Sequence, residues 1–390
     1  MKSVAPFTPP EIKRVPSRFR QALSKYRITL TSDCDNCGLC VTLCPYGVYQ
    51  KGSKRPRVAQ DYLCLGPSCH KNEFYCLARC PRDAIRLNPN PSFEVLGDKR
   101  WTSDLLASTW YMAETGEIPY QDINFKTGDS GGGFDKLRFR LPSGPSPEIP
   151  EEAISLGIEL NRSGDERPQI ALPVPFYLGG MSFGSVSIHS MLSRVRAATA
   201  WGTFCCTGEG GYPDDLKPYD DHVITQVATG LFGVREETIK RVRIVEFKYA
   251  QGAKPGLGGH LLGDKVTPEV ARMREAVVGS SLFSPFPFHS VYSVEDHKKH
   301  IDWIKEINPR ALVSVKVSTP NDVDMVAVGS YFAGAHILQL DGSYGGTGAA
   351  PDIAKKNIAM PLEYAVPKVH KFLKGEGIRD KITIIASGGI

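Results

Sequence analysis

Eight of the ten cysteines fall between Cys34 and Cys80, and this clustering constrains the fold more than any other feature of the 390-residue chain. The first run reads CDNCGLCVTLCP, with Cys34, Cys37, Cys40 and Cys44 in the pattern C-x2-C-x2-C-x3-C ahead of Pro45. Three thiolates so closely spaced can wrap one corner of an iron–sulfur cubane, while the fourth points away to a second cluster. The second run, Cys64, Cys69, Cys76 and Cys80, ends in the same Cys-Pro step at Pro81, with looser inner spacings. The pattern predicts two [4Fe–4S] clusters that exchange their fourth ligands. Cys34, Cys37, Cys40 and Cys80 would hold one, and Cys64, Cys69, Cys76 and Cys44 the other. A pair of zinc sites is the competing use of eight thiols, but zinc favours paired C-x2-C hooks, which the first run fits poorly. His70 reads as a surface histidine, and the adjacent Cys205 and Cys206 read as strand residues.

Clustered cysteines without other signs of secretion favour metal over disulfides. The N-terminal MKSVAPFTPPEIKRVPSRFRQ has basic residues but no apolar core, so it is no secretory signal. No apolar stretch approaches the ~20 residues of a bilayer span. A cytoplasmic protein is expected, with any membrane association made through partners. The net charge of +5 is too small, and Lys and Arg too scattered, to argue for nucleic acid.

A hydrophobic content of 41% allows an ordinary buried core, and the length allows two or three domains. Residues 1–90 are basic and cysteine-rich, and read as a ferredoxin-like α+β domain. Residues 91–165 read as a linker and barrel-entry segment, with a helical stretch at Trp101–Met112 before a Gly/Ser/Pro-rich connector. From 166 to 390, short apolar strands alternate with amphipathic helices. The predicted strands are Pro175–Gly180, Gly202–Thr207, Arg243–Tyr249, Leu282–Pro285, Ala311–Val317, Ala335–Asp341 and Lys381–Ser387. Predicted helices include Ser187–Ala200, Val294–Ile307 and Asp322–Ala333. Such alternation argues for an α/β fold with a parallel sheet, here a (β/α)8 TIM barrel whose eighth strand is missing from this chain. A doubly wound open sheet tolerates seven strands and stays as the alternative.

Glycines gather at the predicted C-terminal strand ends, the face that carries a barrel's site. They occur in GGMSFGS (Gly179–Ser185), TGEGG (Thr207–Gly211), QGAKPGLGGHLLGDKV (Gln251–Val266), DGSYGGTGAAP (Asp341–Pro351) and SGGI (Ser387–Ile390). Glycine lets backbone N–H groups approach an anion or a flat ring. Lys316, inside the fifth predicted strand, cannot cheaply face the helix layer. It should either point into the site and stabilise an anionic ring, or form a buried salt bridge. Clusters pass single electrons and most organic reductions need two, a mismatch that a flavin resolves. No G-x-G-x-x-G opens a helix after a strand, so NADPH would need a partner.

At these motifs the sequence resembles the FMN-binding synthase domain of glutamate synthase, most closely the archaeal-type large subunit with its preceding ferredoxin domain. GGMSFGS, TGEGG, QGAKPGLGGHLLGDKVTPEVARMR, SPFPFHSVYSVED, VSVKV and GGTGAAP match in order over roughly 100–390. The resemblance implies FMN against Met181 and Ser182, with Lys316 near its pyrimidine side. It implies that Gly345, Gly346, Gly388 and Gly389 help hold the ribityl phosphate, with Gly180, Asp341 and Thr347 completing the cofactor-binding set. Lys248, Gln251 and Lys254 would bind the carboxylates of a 2-oxo acid, and Glu209 would assist imine formation. The implied reaction reduces 2-iminoglutarate, from 2-oxoglutarate and ammonia, to L-glutamate. Three motifs depart from the family. SNTGEGG becomes CCTGEGG, PPPHHD becomes PFPFHS with only His289 kept, and HDGGTGAS becomes SYGGTGAA. A methylamine–glutamate synthase-like enzyme, another FMN oxidoreductase, or a non-catalytic electron-transfer subunit are the alternatives. No amidotransferase cysteine follows Met1, and the ligands of the family's [3Fe–4S] cluster are absent from this chain. Expected partners are a ferredoxin or NADPH-oxidising flavoprotein subunit, an ammonia-supplying glutaminase subunit and a chain that completes the barrel, in an oligomer.

Overall fold

A computed structural model describes residues 23–67, 69, 76–97, 102–115, 137–141, 143–144, 149–347, 350–351, 353–354 and 357–389. His70 lies outside them. The chain divides into two compact units, Ala5–Gly131 and Gly132–Ile390, the second grouped with Met1–Val4. Among the described residues, no helix is long and apolar enough to cross a membrane.

In the cysteine-rich unit, β1 (Tyr26–Leu30) pairs antiparallel with β4 (Ile85–Pro89), in register from Tyr26↔Pro89 to Leu30↔Ile85. Between them lie α1 (Leu39–Leu43), the hairpin of β2 (Tyr49–Gln50) and β3 (Arg57–Val58), and α2 (Cys76–Arg79). Helices of five and four residues are too short to stand alone in water. The unit's core is small: Val48, Tyr49 and Ile85 are buried, with Ile28, Leu30, Val41, Leu63, Leu77 and five of the cysteines packed around them. So slight a core needs staples, and metal–thiolate bonds are one kind. Next come α3 (Pro91–Glu94), capped by Asn90, and α4 (Ser103–Thr115), the latter meeting the predicted Trp101–Met112 stretch.

The second unit opens with a hairpin of β5 (Ile158–Glu159) and β6 (Ala171–Leu172). α5 (Ile188–Ala200) follows, its first turn capped by the Ser187 hydroxyl, which accepts from the Ser190 N–H. β7 (Cys205–Cys206), β8 (Val223–Ala228), α6 (Glu236–Arg241) and β9 (Ile244–Lys248) come next. An excursion carries β10 (His260–Leu261), α7 (Pro268–Arg274) and β11 (Leu282–Phe283). α8 (Val294–Ile307), β12 (Leu312–Ser318), α9 (Val323–Phe332), β13 (Ile337–Asp341), α10 (Leu362–Gly375) and β14 (Thr383–Ser387) complete the unit.

β7, β8, β9, β12, β13 and β14 form one parallel sheet in chain order, and Leu178 adds a parallel bridge beside Cys205. Among the described strands the order never reverses, whereas a doubly wound sheet requires a switch point. The sheet curls as a half-barrel. β8 and β12 are buried along their whole lengths, whereas β14 is half-buried beyond Thr383. One face packs on the helices through residues such as Val227, Val245, Val313 and Leu338. The other collects Phe204, Ile224, Ile244, Leu312 and Ile337 beneath Leu160, Ile170 and Leu172 of the hairpin segment.

One predicted strand is corrected. Leu282–Pro285 is not part of the parallel sheet; Leu282–Phe283 pairs antiparallel with His260–Leu261, and Phe283 is 62% exposed. The sixth strand of the sheet is instead Val223–Ala228, where Thr225 on the helix-facing side and Gln226 on the opposite, cleft-lining side interrupt the apolar run that would have announced it. Both are buried, Thr225 among the helix-facing residues and Gln226 in the polar layer of the other face.

Candidate active site

The sheet's C-terminal ends open into a cleft of about 900 Å3. All fourteen residues predicted for substrate and flavin line it: Glu209, Lys248, Gln251 and Lys254, with Gly180, Met181, Ser182, Lys316, Asp341, Gly345, Gly346, Thr347, Gly388 and Gly389. Six Lys and Arg side chains line this cleft against two carboxylates, Glu209 and Asp341, so its field favours an anionic occupant.

Two ion pairs organise the floor. The Lys248 ammonium, at the end of β9, lies 3.3 Å from Glu209 Oε2. Lys316, on β12, lies 3.7 Å from Asp341 Oδ2 at the end of β13. Asp341 also accepts from the Gly252 N–H at 2.9 Å and the Ser387 hydroxyl at 2.8 Å. Burial alone would lower the pKa of Lys316; the neighbouring anions Asp341 and Glu246 outweigh it and hold the group above the ordinary lysine value. For Lys248 burial wins over Glu209 and the pKa falls, helped by the nearby Lys316 charge. Burial likewise lowers Lys254, whose ammonium donates to the Gly258 carbonyl at 2.8 Å. Lys316 is therefore both a cleft residue and a salt-bridge partner.

The glycines meet a steric demand. Gly388 has φ +81°, and a Cβ there would sit 2.7 Å from the Gly342 carbonyl oxygen. A Cβ at Gly346 would meet nothing within 4 Å, so that backbone is open to a ligand. A floor of glycine backbone with an unobstructed approach, ringed by excess cations, fits a flat ring bearing a phosphate.

Three residues in or beneath the cleft escaped the sequence reading. Arg274, in the last turn of α7, lines the cleft and is only 5% exposed. Its Nη2 donates to the Phe183 carbonyl at 3.0 Å, while its buried Nε has no partner among the described residues. It ends the motif …VTPEVARMR, which is where a signal lay. Gln226 lines the cleft from the missed strand β8 and donates to Glu246 Oε1 at 2.7 Å. Glu246 itself is fully buried on β9 and also accepts from the Ser314 hydroxyl at 3.2 Å.

The departures from the family separate in space. His289 is exposed and does not line the cleft, whereas Tyr344 does. Cys205 and Cys206 form β7 and are buried, and burial pushes both thiols up, so they are packing groups rather than reactive thiolates.

In the unit Ala5–Gly131, the eight clustered cysteines surround two cavities. Cys34, Cys37, Cys40 and Cys80 line one, and Cys44, Cys64, Cys69 and Cys76 line the other, each a small cavity of about 20 Å3. Cys76 also borders the first. Among the described residues no three His, Cys, Asp or Glu side chains converge as a single ion requires. Thiols spaced around a cavity fit a cubane better than a mononuclear zinc site. Burial raises Cys40 to about 11 and Cys64 to about 12, so a metal must displace the proton for either to serve as thiolate.

Comparison with known proteins agrees with this geometry. Residues 150–390 match the family described as a conserved region in glutamate synthase, and residues 29–50 match a 4Fe-4S binding domain. The archaeal-type glutamate synthase (NADPH) of Thermotoga sp. (strain RQ2) is 35% identical over 97% of this chain and 76% of its own length. The archaeal glutamate synthase (NADPH) of Methanocaldococcus jannaschii is 35% identical over 94% of this chain and 76% of its own. The large chain of glutamate synthase (NADPH) from Azospirillum brasilense is 38% identical over 55% of this chain and 15% of its own. A ferredoxin-like cysteine region, a glycine-floored anion cleft and matches across nearly the whole chain lead to one assignment: the chain belongs to the glutamate synthase family of iron–sulfur and FMN oxidoreductases.

Proposed function

We propose that the cleft binds FMN beside 2-oxoglutarate and ammonia and forms L-glutamate with electrons received through two [4Fe–4S] clusters. The observation that carries this reading is the convergence of all fourteen predicted residues on one cation-rich cleft. FMN, when bound, would collect single electrons and supply a hydride to the substrate. Met181 and Ser182 would hold one face of the ring, Lys316 its anionic edge, and the backbone of Gly345–Thr347 and Gly388–Gly389 the phosphate. Lys248, Gln251 and Lys254, with Arg274, would grip the two carboxylates of the oxo acid, which bidentate and charge-assisted bonds suit. Loss of water from the 2-oxo carbon and ammonia yields the imine. The Glu209–Lys248 pair, 3.3 Å apart, would move a proton at the imine nitrogen.

Within this reading the two cysteine sets lining the cavities are the cluster ligands, each borrowing its fourth thiolate from the other run. The curled sheet is read as part of an FMN-binding (β/α)8 barrel, and the chain as three segments, 1–90, 91–165 and 166–390. The protein is taken to act in the cytoplasm, with electrons from a ferredoxin or an NADPH-oxidising subunit. Ammonia would come free or from a glutaminase subunit. The test is glutamate formation from 2-oxoglutarate, ammonium and a chemical reductant by protein loaded with FMN and iron–sulfur clusters. Absence of glutamate from the loaded protein would refute the substrate assignment. Tyr344, which lines the cleft where the family motif has an acid, favours one further arm: methylamine in place of ammonium, with N-methylglutamate as product.

A further inference from the structure

We infer that Tyr49 sets the reduction potential of one iron–sulfur cluster and leaves the other untouched, a statement that rests on the ligand sets proposed above.

The cysteine region is an internal repeat. Cys44-Pro45-Tyr46-Gly47-Val48-Tyr49 corresponds position by position to Cys80-Pro81-Arg82-Asp83-Ala84-Ile85. The backbone keeps the correspondence. Gly47 and Asp83 both have positive φ, +70° and +45°. Each closes the same turn, with Gly47 N–H to the Cys44 carbonyl at 3.4 Å and Asp83 N–H to the Cys80 carbonyl at 3.1 Å. Val48 and Ala84 are each 1% exposed, and Tyr49 and Ile85 are 4% and 3% exposed. The two halves therefore present equivalent walls, Ile85 to the cavity of Cys34, Cys37, Cys40 and Cys80, and Tyr49 to that of Cys44, Cys64, Cys69 and Cys76.

At the Tyr49/Ile85 wall the equivalence fails at one atom. The Tyr49 hydroxyl lies 3.2 Å from Cys76 Sγ, and Ile85 has nothing comparable to offer. A metal-bound cysteinate carries no proton, so the tyrosine must be the donor. Backbone donors do not cancel this difference among the described residues: Gly66 N–H reaches Cys64 Sγ at 3.4 Å on one side, and Ala84 N–H reaches Cys80 Sγ at 3.3 Å on the other. The hydroxyl has no counterpart at Ile85, the equivalent position of the repeat. Hydrogen bonds to cluster sulfurs raise the potential, because they stabilise the extra negative charge of the reduced state. Shielded from water, such a bond acts at low dielectric and is strengthened by it. Two clusters built on one repeat thus become inequivalent, which gives electron flow through them a built-in step.

The test is a redox titration of the holoprotein, followed by EPR, comparing wild type with Tyr49→Phe and Tyr49→Ile. Y49F keeps the ring and removes only the donor. One of the two midpoints should fall, with the reduced-to-oxidised ratio of that cluster at fixed poise dropping about three- to tenfold, a tenfold change being about 59 mV for one electron. The other midpoint should not move. Unchanged midpoints in Y49F, equal shifts of both, or a shift in Y49I alone would overturn the inference, the last by making Tyr49 a packing wall. Should Y49F fail to hold its cluster, pulsed EPR of the reduced wild type decides. A strongly coupled proton that exchanges promptly in D2O, as a hydroxyl does and a buried amide does not, is expected, and its absence refutes the claim. A wild-type protein without two cluster signals would instead overturn the ligand assignment beneath it.

Discussion

Replacing Lys316 with Met should destabilise the unit Gly132–Ile390, and its size can be worked from the floor of the cleft. At the 3.7 Å separation of Lys316 Nζ and Asp341 Oδ2, and an effective dielectric of about 20, the attraction is about 4.5 kcal/mol. The substitution also relieves the cost of burying the ammonium. Asp341 keeps its bonds from Gly252 and Ser387, so its carboxylate is not left bare. The net loss should fall at the low end for a broken buried pair, about 3 kcal/mol. For a domain of this size that lowers Tm by roughly 6–12 °C. Thermal unfolding near pH 7.5, followed by circular dichroism on Lys316→Met, Asp341→Asn and the double variant, is the assay. The double variant should be more stable than the sum of the single losses predicts, with a coupling of about 2–3 kcal/mol. Additivity within about 0.5 kcal/mol would refute the reasoning, because the two groups would then not share one electrostatic site.

Four further outcomes follow from the same geometry. Cys80→Ala should abolish the cluster of the first cysteine run, where Cys34, Cys37 and Cys40 lie, and spare the other; iron content and EPR would expose the opposite pattern. Removing the clusters with a chelator should unfold the described elements of the cysteine-rich unit, whose core is only Val48, Tyr49 and Ile85 and their neighbours, while the parallel sheet survives; amide exchange distinguishes the two. Arg274→Gln should raise KM for the oxo acid about 10- to 100-fold, the value of a charge-assisted bond, with a smaller change in kcat. Stability should fall as the pH drops below about 6.5, the ordinary histidine value, because burial lowers the pKa of His336 and the folded state disfavours its protonation. The buried ring accepts from Val313 N–H and pairs with Asp165 at 2.8 Å, so His336→Asn should be less stable at pH 8 and show a flatter acid limb.

Much of this protein was legible because its chemistry is written at short range. The cysteine spacings anticipated that Cys80 would border the cavity of the first run, although Cys76 borders both cavities. Glycines at strand ends marked the cleft because their backbone forms its lining. What escaped was decided by tertiary placement. Thr225 and Gln226 made Val223–Ala228 look too polar for a buried strand, yet the sheet's inner face holds a polar layer around Glu246 that takes in Gln226, and Thr225 is buried on the helix-facing side. Leu282–Phe283 has a strand's composition but lies in an antiparallel excursion, since two apolar residues carry no information about their partner. Arg274 looked like an ordinary basic residue at a helix end, and only the fold brings it to the cleft. Tyr49 was invisible for the opposite reason: the repeat is plain in sequence, but the hydroxyl's approach to Cys76 is not.

The central claim is that clusters, flavin and oxo-acid cations serve one reduction. Its most direct measurement is a single turnover: holoprotein reduced anaerobically, freed of excess reductant, and mixed with 2-oxoglutarate and 15N-ammonium. The account predicts reoxidation of flavin and cluster absorbance together with formation of 15N-glutamate, one molecule for each electron pair lost. Reoxidation that needs no 2-oxoglutarate, or a fully reduced protein that persists in its presence without forming glutamate, would contradict it.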